Sequence, residues 1–120
     1  MIQKETKLIV LDNCGAKLVK CIKIFKLKYG LVGSIIIVAV KKSLLRRRIK
    51  KGMVCRGVIV RTCSKIKRFD GVVLNFNLNN IIILKKNEDV PLGTRVFGSV
   101  AFELRLKGFL RIVTLASTLV

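Results

Sequence analysis

Ser34-Ile35-Ile36-Ile37-Val38-Ala39-Val40 is the stretch that decides the fold. Its β-branched side chains favour extended backbone, because they pack well on a pleated surface and crowd the turns of a helix. The run is short, as strands are, and apolar at successive positions, so both of its faces need cover. Residues 7–11, 18–25, 53–61, 72–76 and 79–84 repeat the pattern, each rich in Val, Ile or Leu and bounded by Gly, Asn, Asp or a charge cluster. Asp12-Asn13-Cys14-Gly15 reads as a turn, Tyr29-Gly30-Leu31-Val32-Gly33 as a connection, and Asp70-Gly71 as the start of a hairpin. Six short strands with this punctuation predict a closed or nearly closed β-barrel, which removes exposed strand edges. Residues 35–40 and 81–84, apolar on both faces, predict that something covers the outside of that barrel.

Strand character weakens after Glu88. Val90-Pro91-Leu92-Gly93-Thr94-Arg95 reads as a loop, and residues 101–107 as a short helix, with Glu103 near its start and Arg105 and Lys107 near its end, as the helix dipole favours. Residues 109–119 fit helix and strand equally. No repeat, linker or low-complexity segment interrupts the 120 residues. The expectation is one domain, a barrel over about residues 1–86 followed by a loop and helix region over about 87–120.

Charge narrows the function. There are 25 Lys and Arg against 6 Asp and Glu, a net charge of +19, beside 52% hydrophobic residues. A folded domain so charged repels itself unless a polyanion neutralises it. Nucleic acid is the first candidate and an anionic membrane surface the second. Solubility alone is a poor explanation, because proteins that need only solubility mix both signs. No apolar run approaches the ~20 residues of a membrane helix, and Met1-Ile2-Gln3-Lys4-Glu5-Thr6 resembles neither a signal peptide nor a presequence. A soluble protein with no membrane partner is expected, either made where it works or processed ahead of this numbering.

Enzyme chemistry has little to stand on. With no His, the usual general base and the usual catalytic triads are missing. Glu88 and Asp89 lie in a Lys-flanked loop, where a solvated role is the simpler reading. The glycines lack phosphate-loop spacing. Cys14, Cys21, Cys55 and Cys63 form no C-x-x-C pair. They are expected as free thiols in a reducing compartment, Cys21 and Cys55 serving as small hydrophobes within strands. No catalytic residue, metal or cofactor is expected.

The basic residues are grouped. Lys41-Lys42, Arg46-Arg47-Arg48 and Lys50-Lys51 form one block between two strands; Lys17, Lys20, Lys23, Lys26 and Lys28 form a second; Arg61, Lys65, Lys67 and Arg68 form a third. Without interleaved acids such clusters suit backbone phosphates, since each phosphate neutralised releases counterions. The aromatics, 6 Phe and 1 Tyr with no Trp, are scattered. Phe69, Phe76, Phe97, Phe102 and Phe109 read as core or loop anchors, which favours recognition of folded RNA by shape over base stacking.

Particular residues carry a family resemblance. Gly57-Val58-Ile59-Val60, followed after nine residues by Asp70-Gly71 and then by Phe76, Asn79 and Ile82-Ile83, resembles the signature of universal ribosomal protein fourteen of the large subunit. Met1-Ile2-Gln3, Asp12-Asn13-Cys14-Gly15-Ala16, Cys21-Ile22-Lys23, Lys50-Lys51-Gly52, Val60-Arg61-Thr62, Gly93-Thr94-Arg95-Val96-Phe97-Gly98, Glu103-Leu104-Arg105 and Leu115-Ala116 follow in family order along the whole chain. There are departures. The connection over residues 25–29 is shorter than in bacterial members. Prolines near Leu44 and Ser117 are missing, Cys14 replaces a turn Ser, and Phe102 replaces Arg.

The resemblance implies a five-stranded barrel with a basic loop or ribbon and short C-terminal helices. It implies binding of large-subunit ribosomal RNA beside ribosomal proteins three and nineteen. It further implies contact with small-subunit ribosomal RNA in an intersubunit bridge, and docking of the ribosome silencing factor at positions matching Thr94, Arg95 and Arg111. The bias toward Ile, Lys, Asn, Leu and Phe points to an organelle-encoded gene, mitochondrial before plastid, with a bacterial cytoplasm third.

Overall fold

The computed structural model describes residues 2–25, 28–45 and 49–120. Strands β1 (Lys7–Val10), β2 (Ala16–Ile24), β3 (Ile35–Ser43) and β4 (Val54–Arg61) are followed by the short β5 (Ile66–Lys67) and β6 (Val73–Leu74), then β7 (Asn80–Ile83) and β8 (Ser99–Val100). Helices α1 (Glu103–Leu106) and α2 (Leu110–Leu115) and strand β9 (Thr118–Leu119) complete the chain. Five strands close a barrel in the order β1-β2-β3-β4-β7. All neighbours are antiparallel except the closing pair, where β1 meets β7 in parallel at Ile9↔Asn80 and Val10↔Ile81. Irregular register between Cys21 and Lys23 bends β2 around the wall, as bulges do in small barrels.

Alternation along the strands sorts the apolar residues into two cores. Leu8, Val10, Val19, Cys21, Ile36, Val38, Val40, Ile59, Ile81 and Ile83 fill the barrel. Val58, Val60, Ile82 and Leu84 point the other way and pack with Val96, Val100, Leu104, Phe109 and Ile112. The cover that the sequence demanded for residues 81–84 is therefore the chain's own C-terminal segment, wrapped over the outside of β4 and β7. Each residue of β7 is buried, Ile81 and Ile83 in the barrel and Ile82 in the outer core.

The sixth strand expected over residues 72–76 is not a barrel strand. Only Val73 and Leu74 are extended, paired with β5 at Ile66↔Leu74 and Lys67↔Val73 in a ribbon outside the barrel. The apolar run misled because its first two residues, Val72 and Val73, are about half exposed. The expected helix over 101–107 is α1, one turn shorter, and the ambiguous tail resolves into both forms: α2, then β9 pairing in parallel with β8. Among the described residues no helix is long and apolar enough to cross a membrane.

Candidate nucleic-acid interface

The wall formed by β1, β2 and β3 places lysines on the outside because their strand neighbours fill the inside. Leu8 and Val10 are buried in the barrel, so Lys7 faces out; Val19 and Cys21 are buried, so Lys20 faces out. Lys7 and Lys20 are direct cross-strand partners. Like charges directly opposite repel, and among the described residues neither lysine is ion-paired to an acid. The ion pairs among the described residues are Arg56–Asp89 at 2.8 Å and Arg68–Glu103 at 2.8 Å, and no lysine takes part in either. Lys42 continues the wall opposite Leu18, with Lys41 and Lys17 exposed beside them.

At one end of β2, Lys4, Lys23 and Lys28 line a pocket of about 500 Å³ together with Gln3 and Tyr29. The Lys23 ammonium lies 5.4 Å from the Phe25 ring centre and that of Lys28 lies 5.7 Å from Tyr29. These contacts hold two cations at the rim of the cavity. Lys50 and Lys51 are exposed in the turn before β4, where Gly52 takes φ +91° and donates its N–H to the Val40 carbonyl at 2.9 Å. Lys65 and Lys67 are exposed on the β5–β6 ribbon. Arg46, Arg47, Arg48 and Lys26 lie outside the described residues.

Arg61 and Arg68 are placed differently from the lysines of their cluster. Arg61 donates from Nε to the Ser99 carbonyl at 2.5 Å and from Nη2 to the Phe97 carbonyl at 3.3 Å, and its guanidinium sits 5.5 Å from the Phe76 ring. Burial lowers its pKa from the ordinary arginine value. Arg68 donates to both oxygens of Glu103, at 2.8 and 3.0 Å, and to the Val120 carbonyl at 2.7 Å. That pairing raises the Arg68 pKa and holds the Glu103 carboxyl below the usual carboxylate range. Both arginines thus spend donors tying the barrel and the ribbon to the C-terminal segment. Sequence spacing could not separate them from Lys65 and Lys67, because their carbonyl partners lie more than 35 residues away.

Thr94 and Arg95 are exposed in a turn pinned by Asn13. The Asn13 Oδ1 accepts from the Thr94 N–H at 2.8 Å and the Arg95 N–H at 3.1 Å, while its Nδ2 donates to Thr94 Oγ1 at 3.0 Å. Asn13 escaped sequence reading because its partners are 81 and 82 residues away. Arg111 is exposed on α2, beside the buried Ile112. Lys4 and Lys7 were also missed, although the alternation of Lys7 with Leu8 carried the signal.

The aromatics depart from expectation. Phe109 is a core residue, but Phe69 and Phe97 are exposed and Phe102 is partly so. All four cysteines are free: Cys14 and Cys21 buried, Cys55 half-buried and Cys63 exposed. Burial raises the pKa of Cys21 and Cys55, and pushes the Cys14 thiol up to about 12 with help from the charge of Asp12. Among the described residues no three His, Cys, Asp or Glu side chains gather where a metal ion could be held.

A basic barrel wall whose lysines form no ion pair among the described residues, a basic ribbon and a lysine-lined pocket suit a folded polyanion. The family model of ribosomal protein L14p/L23e matches residues 1–120, so the chain belongs to that family, whose members are structural components of the large ribosomal subunit that bind ribosomal RNA among other ribosomal proteins.

Proposed function

We propose that the chain acts as one domain that anchors to large-subunit ribosomal RNA through the outer face of β1–β3 and the turn before β4, using Lys17, Lys20, Lys23, Lys41, Lys42, Lys50 and Lys51. Arg46, Arg47 and Arg48 join this block on sequence grounds. Lys65 and Lys67 form a second contact on the ribbon. The observation that carries this reading is the Lys7–Lys20 cross-strand pair, set in a wall of unpaired lysines. A surface so arranged is stabilised when phosphates neutralise it.

The finer assignments follow the family resemblance. The protein sits beside ribosomal proteins three and nineteen and touches small-subunit ribosomal RNA in an intersubunit bridge. Thr94, Arg95 and Arg111 form the dock of the ribosome silencing factor, with Asn13 supporting the turn. The composition favours a mitochondrial ribosome over a plastid or bacterial one. Its role is scaffolding rather than catalysis.

Sedimentation tests the anchoring. The protein should stay with the large subunit through a moderate-salt sucrose gradient, and recovery mainly at the top would refute it. Arg95→Glu tests the dock: the variant should enter subunits normally and fail to bind the silencing factor, and normal binding would refute the assigned site.

A further inference from the structure

Phe69 stands apart from the other apolar side chains. Its relative exposure is 114%, so the ring meets essentially nothing of its own chain. The backbone beneath it is tightly held. The Arg68 N–H donates to the Val72 carbonyl at 2.9 Å, and the Gly71 N–H donates to the Arg68 carbonyl at 3.1 Å. Asp70 Oδ1 accepts from the Val72 N–H at 3.1 Å, and Gly71 takes φ +86°, a conformation that suits glycine. Arg68 is locked in turn to Glu103 and the Val120 carbonyl. A firmly bonded turn therefore presents a bare aromatic ring to solvent, and its backbone has little ordering entropy left to lose when the ring meets a partner.

The surroundings indicate what that partner is. On the ribbon, Ile66 and Leu74 pair on the side that packs against the protein, while Lys67 and Val73 pair on the exposed side. Lys65 is exposed one residue before the ribbon. Asp70, the acid at the tip, turns its carboxylate onto its own backbone. The ring is thus flanked by free cations, which complements a phosphate-bearing partner and not the basic or neutral pocket of another protein. We infer that the β5–β6 ribbon is a stacking finger: Phe69 stacks on an unpaired base of the folded ribosomal RNA, and Lys65 and Lys67 neutralise the phosphates beside that base. This rests on the RNA-binding reading above and adds a base contact to a surface otherwise built for phosphates.

The test uses the full chain and the in vitro transcribed large-subunit ribosomal RNA, with affinity measured across a salt series. Base–aromatic stacking predicts that Phe69→Ala weakens binding by about 5- to 150-fold with an unchanged salt slope. Phe69→Trp should retain affinity, whereas Phe69→Leu should lose it like the alanine variant. The Lys65→Gln, Lys67→Gln double variant should instead reduce the salt slope by about 1.4 to 1.8, the value for two phosphates. Chemical probing should reveal a base protected by the wild type and reactive with Phe69→Ala. Wild-type affinity in Phe69→Ala, or full affinity in Phe69→Leu, would overturn the stacking contact. So would a defect seen only in subunits containing neighbouring proteins, because the ring would then occupy a protein pocket. Failure of the wild type to show salt-dependent RNA binding would overturn the anchoring reading itself, and the finger with it.

Discussion

Arg68 grips Glu103 with two parallel hydrogen bonds, Nε to Oε1 at 2.8 Å and Nη2 to Oε2 at 3.0 Å, and so joins the β5–β6 ribbon to helix α1. Each side chain is only 23% exposed, so the pair is less screened than an ordinary surface bridge. Removing the carboxylate charge with Glu103→Gln should cost about 1 kcal/mol. The pH dependence has a definite sign. Arg68 depresses the folded-state pKa of Glu103 below its unfolded value. The pair's contribution is therefore fully present above the unfolded pKa of about 4.3 and is lost as pH falls through the lower folded value. Thermal melts of wild type and Glu103→Gln should differ by a constant gap above about pH 5, narrowing below about pH 4. A gap that persists unchanged at low pH would mean that shape rather than charge holds the ribbon.

Asn13 ties the start of the barrel to the 93–95 turn, and this makes the proposed dock separable from the proposed RNA-binding wall. Asn13→Ala deletes the acceptor for the Thr94 and Arg95 amides and the donor to Thr94 Oγ1. The expected cost is about 1–2 kcal/mol. Amide hydrogen exchange at Thr94 and Arg95 should accelerate while barrel amides stay protected. Silencing-factor affinity should fall with RNA affinity intact. Equal loss of both would show that the turn and the wall do not act separately.

The barrel was legible because its strands announce themselves locally: residues 35–40 are all β-branched but Ala39, and glycines and asparagines mark strand ends. The two-layer core was half legible. Residues 81–84 showed that both faces needed cover, but the cover comes from Val96, Val100, Leu104 and Ile112, and local periodicity cannot specify such distant packing. The site followed the same divide. The outward placement of Lys20 and Lys23 could be read from charge alone, since an unpaired lysine on a strand points outward. Arg61 and Arg68 could not, since the partners that turn them inward lie in the C-terminal segment. Residues 72–76 misled because an apolar run carries no sign of whether it will be buried, and Phe69 misled because aromatic character implies burial only on average.

Gly57 sits on β4 opposite Ile83 of β7. A Cβ there would lie 2.5 Å from Ile81 Cδ1 and 3.0 Å from the Ile82 carbonyl oxygen. The isoleucine tip can move, but the backbone oxygen belongs to β7 where it pairs with β4. Gly57→Ala should therefore destabilise by about 2 kcal/mol through overpacking. Gly52→Ala meets open space but must hold φ +91°, so its cost should be near 1 kcal/mol and purely conformational. Urea titrations of the two variants check the order. Gly52→Ala costing more than Gly57→Ala would reverse the account.

Thiol reactivity should follow burial. Cys14 is buried and its thiol pKa stands at about 12, whereas Cys63 is exposed. The thiolate is the reactive form. With iodoacetamide at pH 8, peptide mass spectrometry should find Cys63 alkylated first. Cys14 and Cys21 should remain unmodified until denaturant is added. Early labelling of Cys14 in the native protein would show that the Asp12–Cys14 turn opens readily.

Arg61 and the lysines of the wall should separate in a single experiment if, as proposed, the wall contacts RNA while Arg61 ties the barrel to the C-terminal segment. Arg61→Gln removes the donors to the part-buried Ser99 carbonyl and the more exposed Phe97 carbonyl. The expected loss is about 2 kcal/mol of stability. The salt slope of RNA binding, measured on the folded fraction, should not change. The triple variant Lys20→Gln, Lys23→Gln, Lys42→Gln should do the opposite. Its stability should hold or rise, since the repulsion between Lys7 and Lys20 is relieved. Its slope of log affinity against log salt should shallow by about 2 to 3. Paired melting curves and salt titrations distinguish the two roles. A shallower slope for Arg61→Gln would move that arginine back among the phosphate contacts.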